Sequence, residues 1–479
     1  MISKKILLPI LVGSAFYLGA CGDDTPASPD PVPGSSTVVP GSSAINPIPM
    51  SSSSPVPASS ADIPASSAIV PASSASPTPA TYPALAPSAN PVTAAGHYLS
   101  WQSYHFQTEE QDMVYYPSIA TEFSEVFPAA YQPAGRVAWS NQTGYYKTSC
   151  SVADASAPAM KYRGCTVSEG IGYGMLLAYF NGDVDSYNRM WNYTRAYRAY
   201  NNVKLMPWIT KSFHWEAVDN SSATDADLDI ATSLILMYYK TGVSAYLEDA
   251  LTFVNALWEL EVNQTSLLLY SGDQDVWKIG NPVYNLSYFS PVAIRLFAKV
   301  DPNHNWNGVL DAMYTYMQLV QSMGTGVFPD WSDGTGNAIN PNNGSADKTY
   351  WTFNKESVRI PWRIAWDYYW YQDTRAASIL TTLNTFIVGK TNNNPNDKAL
   401  SVNYSWNLAV GADYTNGAVP PQWYAAWCAT GIAGNSSWLD ACTKGVNGLT
   451  LSNNGNSYFS DILVTMYSGL LNGMFIRPF

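Results

Sequence analysis

The sequence predicts a mainly α-helical fold assembled from helix pairs, and three observations carry that prediction. Apolar residues recur at helical spacing in ten stretches of ordinary helix length, at 169–180, 183–200, 226–241, 243–261, 288–300, 306–323, 360–371, 374–388, 423–433 and 459–472. Loops rich in Gly, Asn and Pro separate these stretches. The alternation of a half-buried strand is scarce, confined to short runs such as 266–270.

Ahead of the helices lie two segments of different character. Lys4 and Lys5 precede an apolar run over 6–17, too short to cross a membrane, that ends in Leu18-Gly19-Ala20-Cys21. Those last four residues resemble a bacterial lipoprotein signal, in which residues 1–20 are removed and Cys21 is lipidated; the alternative is an ordinary cleaved signal with a spare cysteine. Residues 21–92 are rich in Pro, Ser and Ala, repeat Pro-Ala-Ser-Ser-Ala, and have too few aromatics to build a core. At about 3.1 Å per residue such a linker could reach roughly 200 Å. The expected plan is a signal peptide at 1–20, a lipid-anchored linker at 21–92 and one folded domain at 93–479. The expected location is the cell envelope, on the outer membrane facing outward, with the lipid as the sole membrane contact.

Charged residues make up 13% of the chain, below the usual ~25%, and the net charge is −12. That balance argues against nucleic acid as a partner. The chain carries 17 Trp and 33 Tyr, flat amphipathic side chains suited to sugar rings, although any single one is more often core. Beyond Cys21 four cysteines remain, Cys150, Cys165, Cys428 and Cys442, a number that suggests disulfides in an exported chain. Of the three possible pairings, Cys150–Cys165 and Cys428–Cys442 close short loops and are expected. No metal site is expected, since the chain has no Cys-x-x-Cys and 4 His in all. A monomer without cofactor is the expectation.

The helix at 169–180 begins within Thr166-Val167-Ser168-Glu169-Gly170-Ile171-Gly172-Tyr173-Gly174-Met175. Thr166 and Ser168 are good N-cap types. Three glycines in a first turn cost about 1 kcal/mol each relative to alanine, which points to close approach of something to the backbone. Glu169 alone reads as a capping carboxylate; the glycines and Tyr173 around it read as a site. Glu169, Asp225, Tyr288 and Glu356 each stand at or just before a helix start, separated by 56, 63 and 68 residues. Each interval is about one helix pair plus loops. If the pairs wind into a ring, every second helix points the same way and these four side chains converge at one end.

The segment Val167 to Met175 is similar to the signature of glycoside hydrolase family 8. Ala223-Thr224-Asp225-Ala226-Asp227-Leu228-Asp229-Ile230-Ala231 resembles the family's second acidic motif. Asn285-Leu286-Ser287-Tyr288-Phe289-Ser290-Pro291 and Arg359-Ile360-Pro361-Trp362-Arg363-Ile364-Ala365 resemble its later landmarks, and the order is kept from about Tyr98 to Phe479. The resemblance implies an (α/α)6 barrel and inverting, endo-acting hydrolysis of a β-1,4-linked polysaccharide. It implies Glu169 as general acid, Asp225 holding the sugar distorted, and Tyr288 holding the nucleophilic water. Asp225 is also expected to raise the pKa of Glu169 by like-charge repulsion, against the pull of the helix N-terminus toward the anion. Asp227 and Asp229 are expected to serve the helix start or a network behind Asp225.

The chain departs from the family pattern at the general base, where Glu356 stands three residues before Arg359 in place of an Asp. Glu is one methylene longer, and a 1 Å misplacement can cost about 100-fold in rate. Asp347 is the alternative base, with Asp330 and Asp367 behind it. Substrate-binding candidates are Trp208, Trp277, Tyr173 and Arg359, with Trp423, Tyr424 and Trp427 a weaker cluster. The expected substrate is a β-1,4-linked glucan, cellulose or mixed-linkage, with xylan and chitosan the alternatives. A surface glycan-binding protein that has lost the base is the rival of another class.

Overall fold

The computed structural model describes residues 82–115, 129–139, 164–211, 217–280, 282–341, 349–452 and 457–479. Cys21, its signal and the linker through residue 81 lie outside the described residues.

Twelve long helices are found among the described residues: α1 (Pro91–His105), α2 (Ser168–Asn181), α3 (Val184–Asn201), α4 (Thr224–Thr241), α5 (Ser244–Leu260), α6 (Pro291–Val300), α7 (Trp306–Ser322), α8 (Ile360–Tyr371), α9 (Thr374–Thr391), α10 (Pro421–Ala429), α11 (Ser436–Asn447) and α12 (Tyr458–Leu471). The even-numbered helices pack side by side into a closed inner ring, with α12 against α2. Each odd-numbered helix backs one inner partner, α1 doing so for α12. The result is an (α/α)6 barrel. The inner helices are buried nearly all round: α2 is buried from Ser168 to Tyr179, and α4 from Thr224 to Met237. An outer helix such as α7 instead buries one stripe, which includes Trp306, Leu310, Met313 and Met317.

Local sequence sets these elements. α2 and α4 end on Gly182 and Gly242, both at φ 73°, where a side chain would be strained. Gly172 lets α2 close on α4, since a Cβ there would meet Asp229 Cβ at 3.0 Å and the Ala226 carbonyl at 3.1 Å. Cys428 and Cys442 form a disulfide that joins α10 to its outer partner α11. Cys165 is disulfide-bonded as well, and Cys150 lies outside the described residues.

Several expectations change. The folded body begins by Tyr82, not at residue 93: Tyr82 stacks on Tyr369 at 4.6 Å and accepts a hydrogen bond from the Arg477 N–H at 2.9 Å. The aromatic-poor stretch after Tyr82 hid this, because Ser88 and Asn90 anchor through polar bonds, to Asp440 and Asn472. Helices α1 and α11 were not anticipated. The run at 266–270 is a turn with one bridge, Val262 to Leu269, and Leu267 at φ 59°. The largest sheet among the described residues lies elsewhere, with antiparallel strands Cys165–Val167, Pro207–Lys211 and Ala217–Ser222. Its first strand runs into α2 and its last leads to α4.

The two ends of the barrel differ. The chain after α12 turns across the C-terminal ends of the inner helices. Phe475 stacks on Phe180 at 4.1 Å and meets Trp366 at 5.3 Å, and Phe479 meets Tyr239 at 4.9 Å. This tail closes that end, and Tyr82 to Asn90 strap over it.

Candidate active site

The opposite end gathers the N-termini of the inner helices. Glu169 sits in the first turn of α2 and Asp225 in the first turn of α4. Tyr288 ends the 3-10 turn Leu286–Tyr288 ahead of α6, and Glu356 opens the 3-10 turn Ser357–Arg359 that runs into α8. The expected convergence therefore holds. The expected caps do not: the N-cap position of α2 is Val167, with no side-chain bond, because Thr166 Oγ1 instead donates to the Val137 carbonyl at 3.0 Å.

Arg359 is the hub. Its Nη1 donates to Glu169 Oε2 and, at 3.3 Å, to Asp225 Oδ2; its Nη2 donates to Glu356 Oε2. Its guanidinium lies 5.3 Å from the centre of the Tyr288 ring. Asn285 Nδ2 donates to Glu356 Oε2 at 2.6 Å, and Tyr458 Oη to Glu169 Oε1 at 3.0 Å. One cation thus faces three buried carboxyl groups, which favours a proton on one of them.

Glu169 is pushed toward its protonated form. Burial pushes its carboxyl up to about 7; Arg359 opposes the shift, Asp225 and Glu356 add to it, and the Tyr458 bond opposes it. Burial, rather than Asp225, is the main cause. Below the cluster Arg363 pairs with Asp229 through two bonds of 2.8 and 2.9 Å, and burial lifts Asp229 to about 6 against that cation. Asp227 accepts from the Met206 N–H at 2.9 Å and so ties α4 to the segment before Trp208.

The other expected residues separate. Tyr173 is fully buried and edge-on to Trp362 at 5.6 Å. Trp208 is half-buried and edge-on to Trp139 at 6.3 Å. Trp277 stacks parallel to Trp331, with ring centres 5.6 Å apart, and Trp331 meets Tyr288 edge-on at 6.3 Å. Trp277, Trp331 and Tyr288 thus form an aromatic line that leads to Arg359. Trp423 and Trp427 are core. Asp347 lies outside the described residues. Asp367 is held by Arg295 at 2.7 Å and Tyr314 at 2.6 Å, tying α8 to α6 and α7. Asn285, Trp331 and Tyr458 had been given no role from sequence. Tyr458 opens α12, so the rule that inner-helix starts carry the site would have found it.

No group of three or more His, Cys, Asp or Glu among the described residues could hold a metal ion. No helix among them is long and apolar enough to cross a membrane.

A ring of inner-helix N-termini that gathers three buried carboxyl groups around one arginine, beside stacked indoles, suits a carbohydrate-cleaving hydrolase. Residues 126–430 match the model of glycosyl hydrolases family 8. The chain belongs to that family and is a glycoside hydrolase. It is 30% identical over 371 residues to a beta-glucanase of Niallia circulans, covering 72% of this chain and 86% of that protein. It is 32% identical over 226 residues to endoglucanase 2 of Ruminiclostridium josui, but spans 46% of that relative's length. Among solved structures, a beta-1,3-1,4-glucanase from Paenibacillus sp. X4 superposes with a TM-score of 0.64 at 24% identity, over 82% of this chain and 95% of that one. A reducing end xylose-releasing exo-oligoxylanase superposes at 0.56 with 16% identity, over 76% and 93%. These two likenesses speak to the fold.

Proposed function

We propose that the protein is an inverting, endo-acting β-glucan hydrolase with Glu169 as general acid and Glu356 as general base. The observation that carries this reading is the gathering of Glu169, Asp225 and Glu356 around the single cation Arg359, with burial pushing Glu169 up to about 7. An inverting glycosidase needs one protonated carboxyl at the leaving oxygen and one carboxylate across the ring for water, with ~6.5–9.5 Å between them. Glu169 gives its proton to the glycosidic oxygen as the C1–O bond breaks. Glu356 takes a proton from the water whose oxygen joins C1 from the other face, and exchange with solvent resets both groups. Arg359 and Asn285 hold the Glu356 carboxyl in place. Asp225 holds the sugar distorted, Tyr288 holds the water, and the Trp277–Trp331 stack offers a face for a glucose ring.

The relatives named as endoglucanases support internal cutting. The beta-glucanase of Niallia circulans supports a β-glucan ahead of xylan or chitosan. Reducing-sugar release from β-glucan, carboxymethyl cellulose, xylan and chitosan tests the choice. Fastest release from β-glucan, with a rapid fall in viscosity, is the expected outcome; faster release from xylan or chitosan rejects it.

The same reading places the enzyme in the cell envelope, as a monomer held by a lipid on Cys21 through the linker that ends near Tyr82. The support is Leu18-Gly19-Ala20-Cys21 and the Pro/Ser/Ala composition after it. Cys21→Ser should move the protein from the membrane fraction to the soluble one with specific activity unchanged. Wild-type protein that is soluble and carries no lipid by mass spectrometry refutes the anchor.

A further inference from the structure

Glu356 stands at the N-cap of the turn Ser357–Arg359, yet its side chain gives that turn no capping bond. It is turned instead toward Arg359 and Asn285. The first N–H groups of a helical turn need an acceptor, most often the N-cap side chain itself. Here the acceptor comes from another segment. Asp330 Oδ1 accepts from the Ser357 N–H at 2.9 Å, from Ser357 Oγ at 2.8 Å and from the Asn354 N–H at 3.2 Å. The Asn354 N–H also donates to Ser357 Oγ at 2.8 Å, and Asp330 anchors itself through its own N–H to the Tyr350 carbonyl at 2.9 Å. Asp330 is 2% exposed.

We propose that Asp330 is a positioning residue for the base: it caps the turn in place of Glu356 and so leaves the Glu356 side chain free for Arg359 and the cleft. The proposal rests on the reading of Glu356 as base. Asp330 was a weaker candidate for that role, and the geometry gives it a different one, since its Oδ1 is engaged by the turn it holds. Burial and the nearby Glu356 push its carboxyl up to about 8, against the bonds from Ser357. Near neutral pH it therefore caps as a neutral dipole. The following residue, Trp331, belongs to the aromatic line, so one short segment sets both the base turn and the stacking face.

The experiment compares Asp330→Ala and Asp330→Asn with Glu356→Ala, alone and combined, on an activated β-glucoside with and without azide. Asp330→Ala is expected to lower kcat by about 30-fold, within the range that an ångström of misplacement produces. Asp330→Asn keeps an acceptor oxygen for Ser357 and should remain within about threefold of wild type, the loss expected when a hydrogen bond is weakened rather than removed. In the Glu356→Ala background azide supplies the nucleophile, and adding Asp330→Ala should leave the azide-dependent rate unchanged. A merely structural residue would lower that rate too, and such a loss overturns the proposal. So does an Asn variant as poor as Ala, which would mean that the carboxyl itself reacts. So does Asp330→Ala at wild-type kcat. Should Asp330→Ala fail to fold, Ser357→Ala removes one of the three bonds and should show the same kcat loss at smaller size, again absent under azide rescue; wild-type kcat there overturns the proposal. Full activity in Glu356→Ala removes the base reading and the proposal with it, whereas the other failures remove the proposal alone.

Discussion

Glu169→Gln is expected to lower kcat on β-glucan by at least about 100-fold, the scale that general acid catalysis supplies. Gln keeps the length of the side chain and its place in the first turn of α2, so circular dichroism and the melting transition should stay close to wild type. The wild-type pH profile carries a matching sign. A general acid works in its protonated form, and burial pushes the Glu169 carboxyl up to about 7, so kcat/KM should fall as the pH rises through that value. The variant has no proton to lose at this position and should lack that limb. An aryl glucoside whose leaving group needs no proton should be spared most of the loss. Activity within a few-fold of wild type, or an alkaline limb that survives the substitution, would exclude Glu169 as the acid.

Glu356→Ala should nearly abolish polysaccharide hydrolysis. Azide should then restore turnover of an activated substrate and give a product of inverted anomeric configuration, because a small anion takes the place of the water. Glu356→Asp tests how the site accommodates the longer side chain. Glu356 is fixed by Arg359 and by Asn285 at 2.6 Å, so its reach is built into the cleft and the shorter Asp should be slower. An Asp variant equal to or faster than wild type would show that the extra methylene is merely tolerated. If Glu356→Ala keeps most of its activity while Asp347→Ala loses it, the base comes from the preceding loop.

The inner ring was legible because its helices carry continuous apolar sequence and clear stops. The stretch at 360–371 coincides with α8, and 169–180 differs from α2 by one residue at each end. Helices α1 and α11 were missed for a physical reason. The buried side of α1 includes His97 and His105, polar by type but buried through bonds to Ser468 and Asp461. The buried side of α11 counts Cys442, which had been read as a disulfide half rather than as core. In addition, α1 backs α12 from the other end of the chain, a pairing that no local periodicity can reveal. The site was legible where a side chain sits in a helix start. It was hidden where a residue acts across segments: Trp331 by stacking on Trp277, Asn285 by holding Glu356, Tyr458 by reaching Glu169.

The strap from Tyr82 to Asn90 crosses the end of the barrel that Phe475 and Phe479 fill, on the side away from Glu169, Asp225 and Glu356. Tyr82, the first described residue, therefore lies at the back of the molecule. A carrier or purification handle joined at Tyr82 would be attached on the face away from the mouth, and a polysaccharide lying across the mouth would not meet the point of attachment.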